Sequence, residues 1–124
     1  MSLLLALALQ AATAEPEFSD NQEIVVTATR LGNWRGKFSL RGEKFKCKTI
    51  VSTDDKGIDA IGCNAIRQCL HPLKARLTES DNKTLGKDRQ RELKKAIFDD
   101  LGICVKETRA KMVAEFVSQR KATQ

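Results

Sequence analysis

The four cysteines are the residues of this chain whose type and spacing best support a specific chemistry. Cys47, Cys63, Cys69 and Cys104 make an even number in a chain of 124 residues. In a small exported protein this pattern indicates two disulfides. Cys63 and Cys69 fall on one predicted helix, where six residues rise about 9 Å, beyond the ~7 Å that a bridge tolerates between Cα atoms. Two pairings remain, and we favour Cys47–Cys63 with Cys69–Cys104 because it joins sequential elements.

A zinc site is the competing interpretation of the same thiols. His71 follows Cys69 by two positions, so a histidine and a thiol are close in sequence. Structural zinc sites normally contain ligands in tight pairs, however, and the chain has no Cys-x-x-Cys pair. Fifteen residues separate Cys47 from Cys63. We therefore predict disulfides, and neither a metal site nor a cofactor.

Few other residues could carry out catalysis. His71 is the only histidine and precedes a proline, which favours a position at a helix end over the role of a general base. Asp54 with Asp55, and Asp99 with Asp100, are neighbours in sequence and do not face each other on a helix or strand. Oxidised cysteines leave no thiolate nucleophile. The sequence thus predicts a protein that is not an enzyme.

The first 14 residues have the features of a signal peptide. Residues 1–10 are rich in leucine and alanine, Ala12 and Ala14 supply a small-x-small cleavage pattern, and Glu15 begins polar sequence. The apolar run is too short to span a membrane, which needs roughly 20 residues. We therefore predict cleavage after residue 14 and an exported protein, in the periplasm or outside the cell, with no transmembrane segment in residues 15–124.

Residues 34–51 predict a β-hairpin. Gly42 and Glu43 fit a two-residue type II′ turn, which favours glycine first. The register that follows pairs Arg41 with Lys44, Leu40 with Phe45, Ser39 with Lys46, Phe38 with Cys47, Lys37 with Lys48, and Trp34 with Val51. One face then collects the apolar residues Trp34, Phe38, Leu40, Phe45, Cys47 and Val51. A single register satisfies both strands, so the hairpin has an inward and an outward side.

Helices are predicted after the hairpin. Residues 58–70 have apolar positions at helical spacing, with Asp59 as the expected N-cap, and residues 73–77 continue for another turn or two. Residues 85–120 form two helices divided at Gly102, or one kinked helix. The predicted fold is α+β, in which a small antiparallel sheet is packed by two to three C-terminal helices and stabilised by disulfides. It occupies residues 31–124 as one domain.

The hairpin is strongly basic for its length. The net charge is +6, and the hairpin holds Glu43 as its lone acidic residue. Its cations are candidate anion-binding residues: Arg35, Lys37, Arg41, Lys44, Lys46 and Lys48. Like charges opposite each other destabilise a sheet, which indicates an anionic partner: the phosphates of an envelope glycolipid, an acidic protein, or the acidic leader of this chain. The alternative is that the cations keep the strands soluble and block edge-to-edge pairing. We do not predict nucleic acid as a partner, because few aromatic residues are available for stacking.

Residues 15–30 are predicted to form a flexible leader containing a β-branched, strand-forming run. The run Glu23-Ile24-Val25-Val26-Thr27-Ala28 resembles the TonB box of TonB-dependent outer-membrane receptors. The whole chain also resembles small exported proteins of alphaproteobacteria that carry such a segment before a cysteine-bearing domain. The resemblance implies that these six residues add a strand to a TonB-like periplasmic partner. The alternative is that residues 24–29 form the first strand of the protein's own sheet.

Overall fold

The computed structural model describes residues 20–123, so the predicted signal peptide lies outside the described residues. The chain forms one hairpin within a helical framework. In chain order the elements are α1 (Asp20–Gly32), β1 (Arg35–Arg41), β2 (Lys44–Val51), α2 (Lys56–Leu70), a 3₁₀ turn (His71–Leu73), α3 (Lys74–Ser80), a second 3₁₀ turn (Lys83–Leu85) and α4 (Lys87–Thr123). No helix within this range is long and apolar enough to cross a membrane.

The predicted α+β class and both predicted disulfides are confirmed. Cys47–Cys63 joins β2 to α2, and Cys69–Cys104 joins α2 to α4. Their Cα atoms are 5.8 Å apart in each case. The core lies between α2 and α4, with α1 and the hairpin packed around it, and its buried members include Ile58, Leu70, Ile97 and Val113. The two covalent links thus tie both the sheet and the long helix to α2.

The predicted pairing of the two strands is confirmed from the turn as far as Lys37, which lies opposite Lys48. The two strands are antiparallel, with Arg41 opposite Lys44 and Lys37 opposite Lys48. Gly42 has a φ of +59°, which glycine adopts without strain and which the first position of a type II′ turn requires. Alternation along both strands leaves Phe38, Leu40, Phe45 and Cys47 half-buried and the residues between them exposed.

Trp34 does not pair with Val51, so this part of the predicted register is wrong. An irregularity between Arg35 and Gly36 places Arg35 opposite Val51, and Val51 is 47% exposed. Trp34 precedes the strand and is buried, with its indole N–H donating to Thr49 Oγ1 at 2.8 Å. The bulky ring is better accommodated between the sheet and α2 than within the ladder, because there it is buried and its N–H is satisfied.

Residues 24–29 are helical, so the predictions of a strand and of a flexible leader over residues 20–30 are both wrong. Helix α1 packs Ile24, Thr27 and Leu31 toward the core, with Thr27 and Leu31 buried. These positions recur at intervals of three and four, which is the period of one helix face. Tertiary packing of that face overrides the strand preference of the β-branched residues, which is a weak one.

The start of α2 also differs from the prediction. Its N-cap is Asp55, whose carboxylate accepts from the backbone N–H groups of Gly57 (2.9 Å) and Ile58 (3.3 Å). Asp59 lies in the first turn instead and accepts hydrogen bonds from Ser52 and Thr53. Asp59 therefore anchors the loop before the helix, while Asp55 has the extended backbone that an N-cap requires.

Helix α4 is continuous through Gly102, so of the two predicted alternatives the single helix is observed and the division into two helices is wrong. The helix buries Ile97 and Leu101 in its first half and Val113 and Val117 in its second half. Successive residues of a helix are rotated by about 100°, so Val113 points roughly 120° away from Leu101 around the helix axis. The two halves of α4 are therefore buried on different sides. The change reflects different neighbours, because α3 lies beside the first half, whereas α1 and α2 lie along the second. In the sequence, the move of the apolar residues to another side of the helix therefore resembled the end of one helix and the start of a second.

Candidate anion-binding site

The outward side of the hairpin carries five exposed cations, which we call the hairpin face: Lys37, Arg41, Lys44, Lys46 and Lys48. Lys37 lies directly opposite Lys48, and Arg41 lies directly opposite Lys44. Lys46 faces Ser39, so a hydroxyl is the only other polar side chain in the middle of the surface. The structure thus brings together five of the six predicted anion-binding residues.

The hairpin face is not neutralised from within the described part of the chain. None of its five cations forms an ion pair with a residue in 20–123. Glu43, in the turn, is paired with Lys74 of α3 at 3.0 Å and so points toward the body of the protein. Each like-charge pair across the strands costs a few tenths of a kcal/mol or more. An external anion would relieve that cost.

Arg35 does not belong to this surface. Its guanidinium donates to the carbonyl oxygens of Gly32 and Trp34, each at 2.9 Å, and so covers the end of α1. Its charge also acts on Arg109, whose pKa is lowered chiefly by burial and further by Arg35. Arg35 is therefore a structural residue at the junction of α1 and β1, and its assignment as an anion-binding residue is not supported by its contacts.

A second row of basic residues was missed by the sequence reasoning. Arg67, His71 and Lys74 line a cavity of about 330 Å³ beneath the tip of the hairpin. The Arg67 guanidinium lies 5.1 Å from the centroid of the Phe45 ring. The signal was available, because the predicted Cys47–Cys63 disulfide places β2 on α2, and Arg67 follows Cys63 by one helical turn. His71 is the C-cap residue of α2, in the predicted helix-end position.

A further surface cavity, of about 620 Å³, joins the hairpin face to Arg67. Its lining combines the cations Lys37, Lys46 and Lys48 with the half-buried rings of Phe38 and Phe45. The two rings stack with centroids 6.4 Å apart. Cations beside apolar rings suit a ligand that has both an anionic group and an apolar part, since each part can be matched without burying an unpaired charge.

The six residues of the TonB-box-like segment do not form one surface. On helix α1 their side chains point in different directions: Val25 and Val26 are 63% and 50% exposed, whereas Thr27 is buried. Glu23, Val26 and Thr27 line a cavity of about 250 Å³ against the end of α4, and Ala28 lines a different one. The segment is therefore held in the domain by one face rather than presented as a free strand.

Asp55 connects three elements at the opposite end of the domain. Besides capping α2, its carboxylate is paired with Arg120 of α4 and lies 4.0 Å from Arg30 of α1. Burial alone raises the pKa of Asp55, but the Arg120 guanidinium and the N–H groups of Ile58 and Gly57 outweigh it and hold the pKa below its usual range. Asp55 therefore favours the folded state most strongly when ionised.

This lowered pKa predicts a loss of stability in acid. Above the unfolded-state pKa of about 4, ionised Asp55 contributes fully, and the contribution is lost as pH falls through the lower folded-state pKa. Asp55→Asn keeps the cap but removes the ion pairs, so we expect it to lower the free energy of unfolding near neutral pH by about 1 kcal/mol, allowing for screening by solvent. Urea unfolding followed by fluorescence of the single tryptophan, Trp34, measures this.

The difference between wild type and Asp55→Asn should shrink as the pH falls through the lowered pKa of Asp55, where the wild-type carboxyl also becomes neutral. The neighbouring Asp54→Asn is the matched control, because Asp54 is exposed and forms no ion pair with a described residue. It has a positive φ of 65°, which asparagine tolerates. A difference for Asp55→Asn that is constant across pH would contradict the electrostatic explanation.

Comparison with known proteins adds no assignment. No protein-family model matches the chain, and neither a curated protein nor a solved structure is significantly similar to it.

Proposed function

We propose that this protein is an exported, non-enzymatic binding protein that attaches to an anionic glycolipid of the cell envelope through the hairpin face. The observation that carries the proposal is the set of five exposed cations with no acidic partner among the described residues. Two disulfides support an oxidising location, because such bonds persist in exported proteins and are rare in the cytosol.

The geometry of a β-hairpin suits a surface that bears many phosphates. Neighbouring strands are about 4.8 Å apart, and residues two positions apart on one strand are separated by roughly 6.7 Å. The hairpin face is therefore a small grid of cations in which each phosphate can contact more than one side chain. Because the cations are exposed, this attraction is expected to be steeply weakened by salt.

Reversing three charges tests the proposal. Lys37→Glu/Lys46→Glu/Lys48→Glu is expected to weaken binding to phosphatidylcholine vesicles containing lipid A by at least about tenfold, since like-charge juxtaposition replaces attraction. Vesicle co-sedimentation at low and physiological salt measures this. Preserved folding is checked by Trp34 fluorescence, because the three side chains point outward and away from the indole.

The matched control changes the net charge equally at another surface. Lys83, Lys87 and Lys111 are exposed and form no ion pair with a described residue. We expect their combined reversal to glutamate to leave most of the binding intact. Equal loss in both triple variants would show that net charge alone attracts the vesicles, and salt-insensitive binding by the wild type would reject the proposal.

Strand addition to a TonB-like protein is the second candidate. The exposed Val25 and Val26 favour it, because they are apolar side chains without a covering element in the described structure. Pairing as a strand would require α1 to unwind, which removes Thr27 and Leu31 from the core and Arg30 from its hydrogen bond to the Thr53 carbonyl. Titration with a purified TonB periplasmic domain that causes no loss of helical circular dichroism would exclude it.

A further inference from the structure

Two cavities adjoin beneath the tip of the hairpin. The smaller one, of about 330 Å³, has the basic side chains of Arg67, His71 and Lys74 around it. The larger one, of about 530 Å³, extends between the hairpin, α3 and α4. The two share four lining residues: Leu40, Glu43, Leu70 and Lys74. A ligand can therefore occupy both, and each volume lies in the range of roughly 300–1,000 Å³ found for small-molecule sites.

The smaller cavity offers unsatisfied positive charge. Arg67 forms no ion pair with a described residue; one of its nitrogens donates to Asn64 Oδ1 at 3.1 Å, and its plane lies over the Phe45 ring. The remaining guanidinium donors suit an oxyanion, which arginine binds through two parallel hydrogen bonds. Arg67, His71 and Lys74 recur at intervals of four and three along one side of the chain, so all three border the same space.

The larger cavity has a mixed polar and apolar lining and little free charge. Phe38, Leu40, Leu70, Leu77 and Phe98 contribute to its lining, and Phe98 is 49% exposed. The charged residues at its far side, Asp81 and Lys94, neutralise each other at 3.0 Å. An apolar chain placed here would cover exposed ring and methyl surface, which is favourable in proportion to the area removed from water.

We propose that this pair of cavities, which we call the tip cleft, binds a single lipid with a phosphomonoester head group and a short length of acyl chain. The phosphate contacts Arg67 and Lys74 in the smaller cavity, and the acyl chain lies against Leu77 and Phe98 in the larger one. The inference rests on the proposed function in that both recognise anionic lipid. It adds a site for one molecule, distinct from the multivalent hairpin face.

Glu43 acts as an internal competitor in this site. Its carboxylate extends from the turn to Lys74 at 3.0 Å, although its side chain is otherwise 89% exposed. It therefore occupies the position on Lys74 that a phosphate oxygen would take. Removing its charge frees Lys74, so Glu43→Gln should strengthen binding at the tip cleft, in contrast to most substitutions at a binding site.

The probe is dihexanoyl phosphatidic acid, used below its micelle concentration and titrated calorimetrically into the full chain. Glycerol 3-phosphate supplies the head group alone, and dihexanoyl phosphatidylcholine supplies the acyl chains without net charge. We expect each partial probe to bind at least about tenfold more weakly than the complete one, because each lacks one of the two matched contacts. Equal binding of either partial probe, or no binding of phosphatidic acid, would overturn the proposal.

Substitutions of single residues test whether the probe binds in the tip cleft. Arg67→Gln should weaken binding of the complete probe by about tenfold, and Phe98→Gln should weaken it without changing the response to glycerol 3-phosphate. Glu43→Gln should tighten binding by about threefold or more, whereas Glu107→Gln, the same change at an exposed position of α4, should have little effect. An equal gain from both glutamate variants would show a long-range charge effect and contradict the competitor role.

Binding at the hairpin face and binding in the tip cleft can be tested independently. Lys37→Glu/Lys46→Glu/Lys48→Glu should lose vesicle binding yet retain binding of short-chain phosphatidic acid within about threefold, because these side chains do not line the two cavities of the tip cleft. Hairpin-dependent binding to lipid A vesicles together with no binding of the short-chain probe would leave the proposed function standing and reject the tip cleft.

Discussion

A protein carrying Cys69→Ala with Cys104→Ala is expected to be largely unfolded at about 37 °C. The bond closes a sequence separation of 35 residues and joins α2 to α4, which together form most of the core. Its loss releases chain entropy worth about 4 kcal/mol in the unfolded state, a large part of the 5–15 kcal/mol that roughly stabilises a small domain. Cys69 is fully buried, so the truncated side chain also leaves a packing defect. Urea unfolding followed by Trp34 fluorescence measures the loss.

Cys47→Ala with Cys63→Ala is the matched comparison. This bond spans 16 residues and joins only the hairpin to α2, so its removal should cost less, about 3 kcal/mol. Both of its cysteines are half-buried rather than fully buried. This variant should keep the helical core while loosening the hairpin, and we expect it to lose vesicle binding before it loses helical signal. If loss of the Cys47–Cys63 bond destabilised the protein more than loss of the Cys69–Cys104 bond, the conclusion that the core depends chiefly on the link between α2 and α4 would be contradicted.

Gly62→Ala is expected to destabilise the protein by roughly 2–3 kcal/mol, although alanine is the better helix former. A Cβ atom at position 62 would lie 2.5 Å from Cδ2 and Cε2 of the Trp34 indole. The indole cannot retreat, because its other side lies against Gly36, where a Cβ would come within 2.1 Å of the ring. The ring is also held by the hydrogen bond to Thr49 and by the Arg109 guanidinium, 5.4 Å from the ring centroid.

Gly102→Ala is the control for the same substitution elsewhere. Gly102 is exposed in the middle of α4, and no atom lies within 4 Å of its added Cβ. Alanine there should stabilise the helix by up to about 1 kcal/mol. Thermal unfolding by circular dichroism compares the two variants directly. If Gly62→Ala were stabilising as well, helix propensity would outweigh the Trp34 contact and the close packing of the hairpin on α2 would not hold in solution.

The contact of Trp34 with Gly62 and the Cys47–Cys63 bond attach the hairpin to α2 at two points. Trp34 lies at the end of the hairpin away from its turn, and Cys47 lies in the middle of β2. The turn residue Glu43 is held by its exposed ion pair with Lys74. Exposed ion pairs contribute little, typically below about 1 kcal/mol. The ion pair at the turn therefore adds little to the attachment of the sheet, and the turn borders the proposed lipid site.

Local rules were sufficient for the features that depend on neighbouring residues. Gly42 and Glu43 specified the turn, and apolar alternation then fixed the register from Leu40 opposite Phe45 to Lys37 opposite Lys48. The cationic side of the hairpin followed from the same alternation. Helix geometry excluded a Cys63–Cys69 bond, and of the two pairings that remained, the one that joins sequential elements is observed.

The features that were missed depend on partners distant in sequence. Residues 24–29 have strand-forming side chains, and they are helical because Thr27 and Leu31 are buried against other helices. The apolar residues of α4 change sides along the helix because its two halves pack against different elements, and not because the helix breaks at Gly102. Arg67 became a candidate binding residue only once β2 was placed against α2.

Short-range geometry could be predicted from the residues alone: a hairpin with one cationic side, helical segments, and cysteines spaced for two bridges. Long-range packing was needed to make residues 24–29 helical, to move Trp34 out of the strand ladder, and to bring Arg67, Lys74 and Phe98 to the border of one cleft. This division arises because turn, strand and cap preferences act over a few residues. Burial is decided by surfaces that meet only after the chain has folded.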